Sequence, residues 1–276
     1  MEFSSIWSGA SGLNRPGVIQ RGTIANIETV SGTQRRDIFT GTDDQETLVG
    51  HGGNDEMFGR GEIDSLYGGL GADTLFGEAG ADTLNGGSDA DTLSGGADDD
   101  RLDGETGNDD LNGGDGRDLL FGGDNADLLE GGGDVDTLDG GTGADQLFGG
   151  NAEDRLDGGA GSDVLTGGGG ADTFVFSTRL SATGNRDRIT DYQDGSDRIV
   201  LASLGGQAFE ALGSSVEDGE LVNGTAPADD DDFLIYDPAT GILYFDRDGA
   251  GGAAKIAFAI FDIPLASLQA SDFLVE

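Results

Sequence analysis

The 276-residue sequence predicts an all-β fold. It reads as a right-handed parallel β-roll of nonapeptide repeats, capped by a small C-terminal β domain. Three observations predict it. A nine-residue period runs from Gly32 to Val175 without an insertion or deletion, giving sixteen copies. Each copy keeps glycine, a carboxylate and one large apolar residue in phase. Each also offers only three β-favouring residues in a row, such as Thr74, Leu75 and Phe76, too few for a helix.

Counting from Gly32, position 1 is glycine in all sixteen copies, and position 6 is aspartate in all but one, where Glu46 stands. Position 8 is Phe39, Leu48, Met57, leucine at every ninth residue from Leu66 to Leu165, then Phe174. Glycines at positions 1, 2 and 4 read as tight-turn residues that tolerate positive φ. Positions 7 to 9 read as a short strand. Side chains alternate along a strand, so the apolar residue at position 8 faces inward and its polar neighbours face out. One such unit buries nothing by itself. Stacked in pairs, the repeats form 18-residue coils and a common core, as in other solenoids.

The flanking segments follow from composition. Residues 1–31 read as a lead-in that caps the first coil, residues 32–176 as the roll, and residues 177–276 as the C-terminal β cap. In that last region Asp187–Leu201 holds strands flanking carboxylates. Ala228–Asp232 is an acidic linker, Phe233–Gly249 is a hairpin, and Lys255–Phe261 is a further strand. Asp187 and Asp191 read as solvated surface carboxylates, with a further bound cation as the alternative.

Charge sets the partner class. The chain carries 54 acidic and 14 basic side chains, a net charge of -40. Nucleic acid and anionic membrane surfaces are poor partners for such a chain. No apolar stretch reaches membrane-spanning length. Cysteine is absent, so disulfides and thiolate metal sites are excluded, and the single histidine, His51, leaves zinc without ligands. No H-E-x-x-H, G-x-S-x-G or phosphate-loop motif occurs, and the expectation is a chain without catalytic residues.

Repeated carboxylates within a glycine-rich, oxygen-only loop suit a hard cation of flexible coordination, which is Ca²⁺ and not Mg²⁺. Stacking brings position-6 aspartates of alternate repeats together, for example Asp73 with Asp91 and Asp82 with Asp100. The candidate ligands are Asp55, Asp64, Asp73, Asp82, Asp91, Asp100, Asp109, Asp118, Asp127, Asp136, Asp145, Asp154, Asp163 and Asp172. They provide for up to about 14 calcium ions. Without cations the roll's own repulsion opposes folding. At position 4, Glu62, Asp89, Asp98, Asn125, Asp134 and Ala152 replace glycine in a pattern that alternates from coil to coil. This alternation reads either as two kinds of calcium gap or as a trace of duplication.

The G-G-x-G-x-D-x-U-x pattern, seen in "GGLGADTLF" from Gly68 to Phe76, resembles the RTX (repeats-in-toxin, haemolysin-type calcium-binding) family. The resemblance implies calcium-dependent folding after secretion. "ADTFVF", "DRITDY" and "DRIVL" resemble the region after the roll in serralysin-type proteins, and "GTIANIETVSGT" resembles the segment before it. The C-terminus "SDFLVE" is similar to the uncleaved type I secretion signal of such proteins, with Glu276 as an extra residue. The resemblance thus implies a secreted bacterial calcium-binding protein that meets the type I secretion machinery. Its alternatives are the calcium-folding tail of a larger enzyme or toxin (protease, lipase or epimerase) and a calcium-dependent adhesin or surface-layer component. No motif names an extracellular target.

Overall fold

A computed structural model describes residues 7–8, 29–178, 185–202, 209, 212, 215–217, 219–227, 232–247 and 254–276. Most of the lead-in and residues 228–231 of the acidic linker lie outside the described residues. The chain is an all-β parallel solenoid. It divides into two compact units, Met1–Thr137 and Leu138–Glu276.

In the first unit, strands β1 (Trp7–Ser8), β2 (Thr29–Ser31), β4 (Thr47–Gly52), β6 (Ser65–Leu70), β8 (Thr83–Ser88), β10 (Arg101–Thr106) and β12 (Leu119–Asp124) follow one another in one parallel sheet. Strands β3 (Ile38–Thr40), β5 (Glu56–Arg60), β7 (Thr74–Ala79), β9 (Thr92–Ala97), β11 (Asp110–Asp115) and β13 (Leu128–Gly133) form a second. The chain alternates between the sheets, one nonapeptide to each. Register is set by the period: Leu66 pairs with Leu84 and Leu75 with Leu93, always 18 residues apart. The position-8 side chains from Leu48 to Leu129 are 0 to 1% exposed. Each stacks on its own kind, which is how a unit with one apolar residue acquires a core.

The strands are longer than the three residues expected. β7 spans six residues, positions 7 to 9 and then 1 to 3 of the following repeat. Glycine at position 1 therefore continues the ladder, and only positions 4 to 6 are left to turn. Position 1 faces inward, as position 8 does. Its φ is not in the left-handed region, so conformational freedom does not explain it. Space does. A Cβ at Gly68 would lie 2.6 Å from the Gly86 carbonyl oxygen and would collide with Asp73 Oδ2. Positive φ belongs to positions 2 and 4 instead. His51, Arg60, Glu78 and Glu105 at position 2 are left-handed, as are the six non-glycine residues at position 4 named above.

The second unit also has two sheets. One contains β14 (Thr137–Gly143), β16 (Arg155–Asp157), β19 (Thr173–Phe176), β21 (Arg198–Leu201) and β26 (Phe273–Val275), with β17 (Ala160–Gly161) beside β14. The other runs β15 (Gln146–Asn151), β18 (Val164–Gly169), β20 (Asp187–Ile189), β25 (Ile256–Phe261), β24 (Ile242–Phe245), β23 (Leu234–Asp237) and β22 (Leu221–Asn223). The expected hairpin is present: β23 and β24 are antiparallel about a turn at residues 238–241, and β24 and β25 are antiparallel too. Here aromatic packing replaces the leucine ladder. Phe209 meets Phe245 and Phe258 edge-on, while Tyr192 and Tyr236 pack on Phe261. Such pairs add stability beyond buried area alone.

Candidate metal centre

Every predicted ligand is buried. The fourteen aspartates from Asp55 to Asp172 are 0 to 2% exposed. Their side chains lie along the inner wall beside the position-1 glycines. They form ladders 18 residues apart. The backbone N–H of Asp73 donates to Oδ1 of Asp91 at 2.7 Å, and that of Asp82 to Oδ1 of Asp100 at 2.7 Å. The predicted juxtaposition of these pairs is thus present, by way of main-chain to side-chain bonds. The same bond recurs from Asp37 to Asp118 in the first unit and from Asp145 to Asp172 in the second.

One oxygen of each carboxylate is used in this way. In Asp55, Asp64, Asp73, Asp82, Asp91, Asp100, Asp109 and Asp118 the other oxygen, Oδ2, is buried and accepts no hydrogen bond. A buried carboxylate oxygen without a donor is costly. Burial accordingly pushes Asp91 up to about 8, helped by the Asp109, Asp73 and Asp89 carboxylates and opposed by the Asp73 N–H. Burial pushes Asp100 up to about 8 and Asp64 up to about 7. Asp55, Asp73, Asp82, Asp109 and Asp118 rise to about 6 from the same first cause. Such stacks require a positive partner, a proton or a metal cation.

The surrounding atoms fit a hard metal cation. A Cβ at Gly107, position 4, would meet the Asp89 carbonyl of the preceding coil and Asp109 Oδ1 of its own. At Gly161 the corresponding atoms are the Gly143 carbonyl and Asp163 Oδ1, the latter 3.0 Å away. At these two position-4 glycines a main-chain carbonyl and a carboxylate oxygen thus lie side by side. Among the described residues no three acidic or histidine side chains gather into a metal site of their own. A cation in these gaps would draw on two carboxylates and on main-chain carbonyls, an all-oxygen set that suits Ca²⁺.

The first coil differs. Asp37 Oδ2 accepts the N–H and hydroxyl of Thr33, at 2.7 and 2.8 Å. The Glu46 carboxylate is met by the N–H and hydroxyl of Thr42. Threonine at position 2 thus satisfies the carboxylate that an ion would otherwise have to satisfy. His51 is exposed and bonds Ser31, away from the ladder.

Two further rungs follow the nonapeptide run: Asp187, read from the sequence as solvated with a bound cation as the alternative, and Asp197, which the sequence reading did not single out. Asp187 and Asp197 are 2% and 3% exposed, not solvated. The N–H of Asp163 donates to Asp187 Oδ1, and that of Asp172 to Asp197 Oδ1. They occupy position 6 of coils whose spacing has stretched to 24 and 25 residues. The available signal was Asp-x-Ile in both "DRI" segments, which copies positions 6 to 8. Burial and the Asp163 carboxylate push Asp187 up to about 9. Asp191 accepts the N–H groups of Gly167 and Gly168.

The family comparison agrees with this geometry. The family model for the RTX calcium-binding nonapeptide repeat matches residues 25–57, 58–93, 85–120, 112–147, 121–154 and 148–176. No curated protein matches the chain. Among solved structures, the solution structure of the AlgE6R3 subunit from the Azotobacter vinelandii mannuronan C5-epimerase is similar at 33% identity. It covers 55% of this chain and 78% of that one, with a TM-score of 0.36. The family matches span more than half of the sequence, and the chain belongs to the RTX calcium-binding nonapeptide-repeat family.

Proposed function

We propose that this protein is a secreted, non-enzymatic calcium-binding module whose roll folds when Ca²⁺ enters the gaps between coils. The observation that carries the reading is the row of buried Oδ2 atoms without hydrogen bonds, Asp55 to Asp118. The ligands are the position-6 aspartates from Asp55 to Asp172, joined by main-chain carbonyls of the turns. Up to about 14 ions are accommodated. Residues 32–175 hold 34 acidic and 6 basic side chains, a net charge of -28 by subtraction. Each ion brings two positive charges to that excess.

Binding free energy is then folding free energy. At the micromolar or lower free calcium of a cytoplasm the chain remains open, which suits export through a type I channel. Millimolar calcium outside closes it. RTX repeats bind calcium as a family, and the acidity of the whole chain favours an aqueous, cation-rich setting. No helix among the described residues is long and apolar enough to cross a membrane.

Far-UV circular dichroism during a Ca²⁺ titration, with Mg²⁺ as the comparison, tests the reading. A cooperative gain of β signal with Ca²⁺ at concentrations where Mg²⁺ has no effect is expected. A chain already folded in chelator at pH 7.5, or equally responsive to Mg²⁺, would overturn it.

A further inference from the structure

We propose that the cation-binding ladder extends one coil past the nonapeptide run, with a calcium-class site between Asp163 and Asp187. The inference rests on the calcium reading of the nonapeptide gaps and adds a site outside them.

The backbone at this coil repeats the ladder despite the longer spacing. Arg188 N–H donates to the Asp163 carbonyl at 2.8 Å, as Val164 N–H does to the Asp145 carbonyl at 2.8 Å. Ile189, fully buried, pairs with Leu165 and takes the place of a position-8 leucine. The carboxylates repeat it too. Asp163 N–H reaches Asp187 Oδ1 at 3.1 Å. Asp163 Oδ2 is buried and accepts no hydrogen bond, the same observation that marks the gaps of the roll. Both side chains are at least 98% buried.

A third oxygen is fixed in place. Asn185, 6% exposed, stands where a repeat has its position-4 residue. Its Oδ1 accepts the Gly161 N–H at 2.6 Å while its Nδ2 donates to Thr178 Oγ1 at 2.8 Å, which fixes the amide oxygen against the preceding coil. The adjacent guanidinium does not neutralise the pair: Arg188 is engaged by Asp262. Two buried carboxylates with an amide oxygen and main-chain carbonyls are a hard-cation donor set.

The next rung shows what the ladder does when no ion is required. Asp197 accepts Asp172 N–H at 3.0 Å on one oxygen and Gln193 N–H at 2.8 Å on the other. Asp187 instead meets the Asp163 carboxyl side chain to side chain, two acids face to face. β20 is also hydrogen-bonded on its far side to β25, the last strand of the antiparallel segment. An ion at Asp187 therefore ties calcium occupancy to the ordering of that segment.

Anomalous scattering from crystals of the full chain grown in calcium chloride tests the site. A peak between Asp163 and Asp187, beside peaks in the nonapeptide gaps, is expected. Peaks in the nonapeptide gaps with none at Asp187 overturn this inference alone, and no peaks in either place overturn the calcium reading as well. In solution, Asp187→Asn should lower the calcium count per chain by one in native mass spectrometry. An unchanged count in the folded variant overturns the proposal. If that variant does not fold, the unsubstituted crystal decides.

Discussion

Gly68→Ala isolates the reason for glycine at position 1. The added Cβ would stand 2.6 Å from the Gly86 carbonyl oxygen and 2.9 Å from Asp73 Cβ, and would collide with Asp73 Oδ2. Two of these contacts are with backbone or with an atom next to it, so the strain cannot be relieved by a rotamer change. Overpacking of this kind costs about 1–3 kcal/mol. Alanine recovers about 0.4–1 kcal/mol by restricting the unfolded chain, since Gly68 φ is outside the left-handed region. The net expectation is a loss of about 1–2 kcal/mol in saturating Ca²⁺. The collision also displaces a proposed ligand oxygen, so the calcium midpoint should rise. Gly133→Ala is the comparison. Its Cβ would meet only Asp115 Oδ1 at 3.6 Å and the Gly114 carbonyl at 3.8 Å. It should be neutral or slightly stabilising. Urea unfolding followed by far-UV circular dichroism in 10 mM Ca²⁺ reads both. Equal midpoints for Gly68→Ala and the unsubstituted protein, or equal losses in both variants, would refute the steric account.

Other outcomes follow from the same geometry. Ala152 sits at φ 77, so Ala152→Gly should stabilise by up to about 1 kcal/mol, against the usual order of the two residues, and an unfolding midpoint that falls would contradict this. Leu102→Ala, at a fully buried position, should cost about 2–5 kcal/mol in calcium, whereas Tyr67→Ser, at an outward position 40% exposed, should change stability by no more than about 0.5 kcal/mol. The pH dependence of the metal-free chain should be inverted relative to that of ordinary carboxylates. The folded pKa values of Asp91 and Asp100 near 8 and of Asp64 and Asp127 near 7 lie above the ordinary 3.8. The fold therefore holds protons that the open chain has lost. Its stability is fullest below 3.8 and falls as pH rises through 6 to 8. In chelator, β signal should be greater at pH 5 than at pH 8, and the reverse would count against the buried ladder.

The period alone disclosed much of this architecture. Leu66, Leu75 and their equivalents could only be a stacked core, because one leucine in nine residues has no other means of burial. The pairing of Asp73 with Asp91 followed from the 18-residue coil. Other features were hidden because they depend on contacts between coils. That position 1 needs glycine for space, and that strands run through it, follows from where Asp73 Oδ2 lies, and a glycine pattern looks the same under either cause. Left-handed Glu62, Asp89 and Ala152 were noticed as exceptions, yet only the backbone shows that they obey the same φ as the glycines they replace. Asp187 and Asp197 escaped because counting in nines ends where loops lengthen, while the sheet registers strands irrespective of what lies between them.

The carboxylate ladder also has a polarity. In each rung the donor N–H belongs to the earlier coil and the accepting Oδ1 to the later one, as from Asp73 to Asp91 and from Asp154 to Asp172. At position 6 a coil thus depends on its successor for a backbone acceptor, whereas the next N–H, as in Thr92, bonds back to a carbonyl of the preceding coil. Repeats trimmed from the leading side leave every remaining position-6 N–H with its acceptor. Repeats trimmed from the trailing side orphan the two position-6 N–H groups of the last coil that remains. The carboxylate rungs alone therefore carry a direction, in which late coils supply the acceptors for early ones.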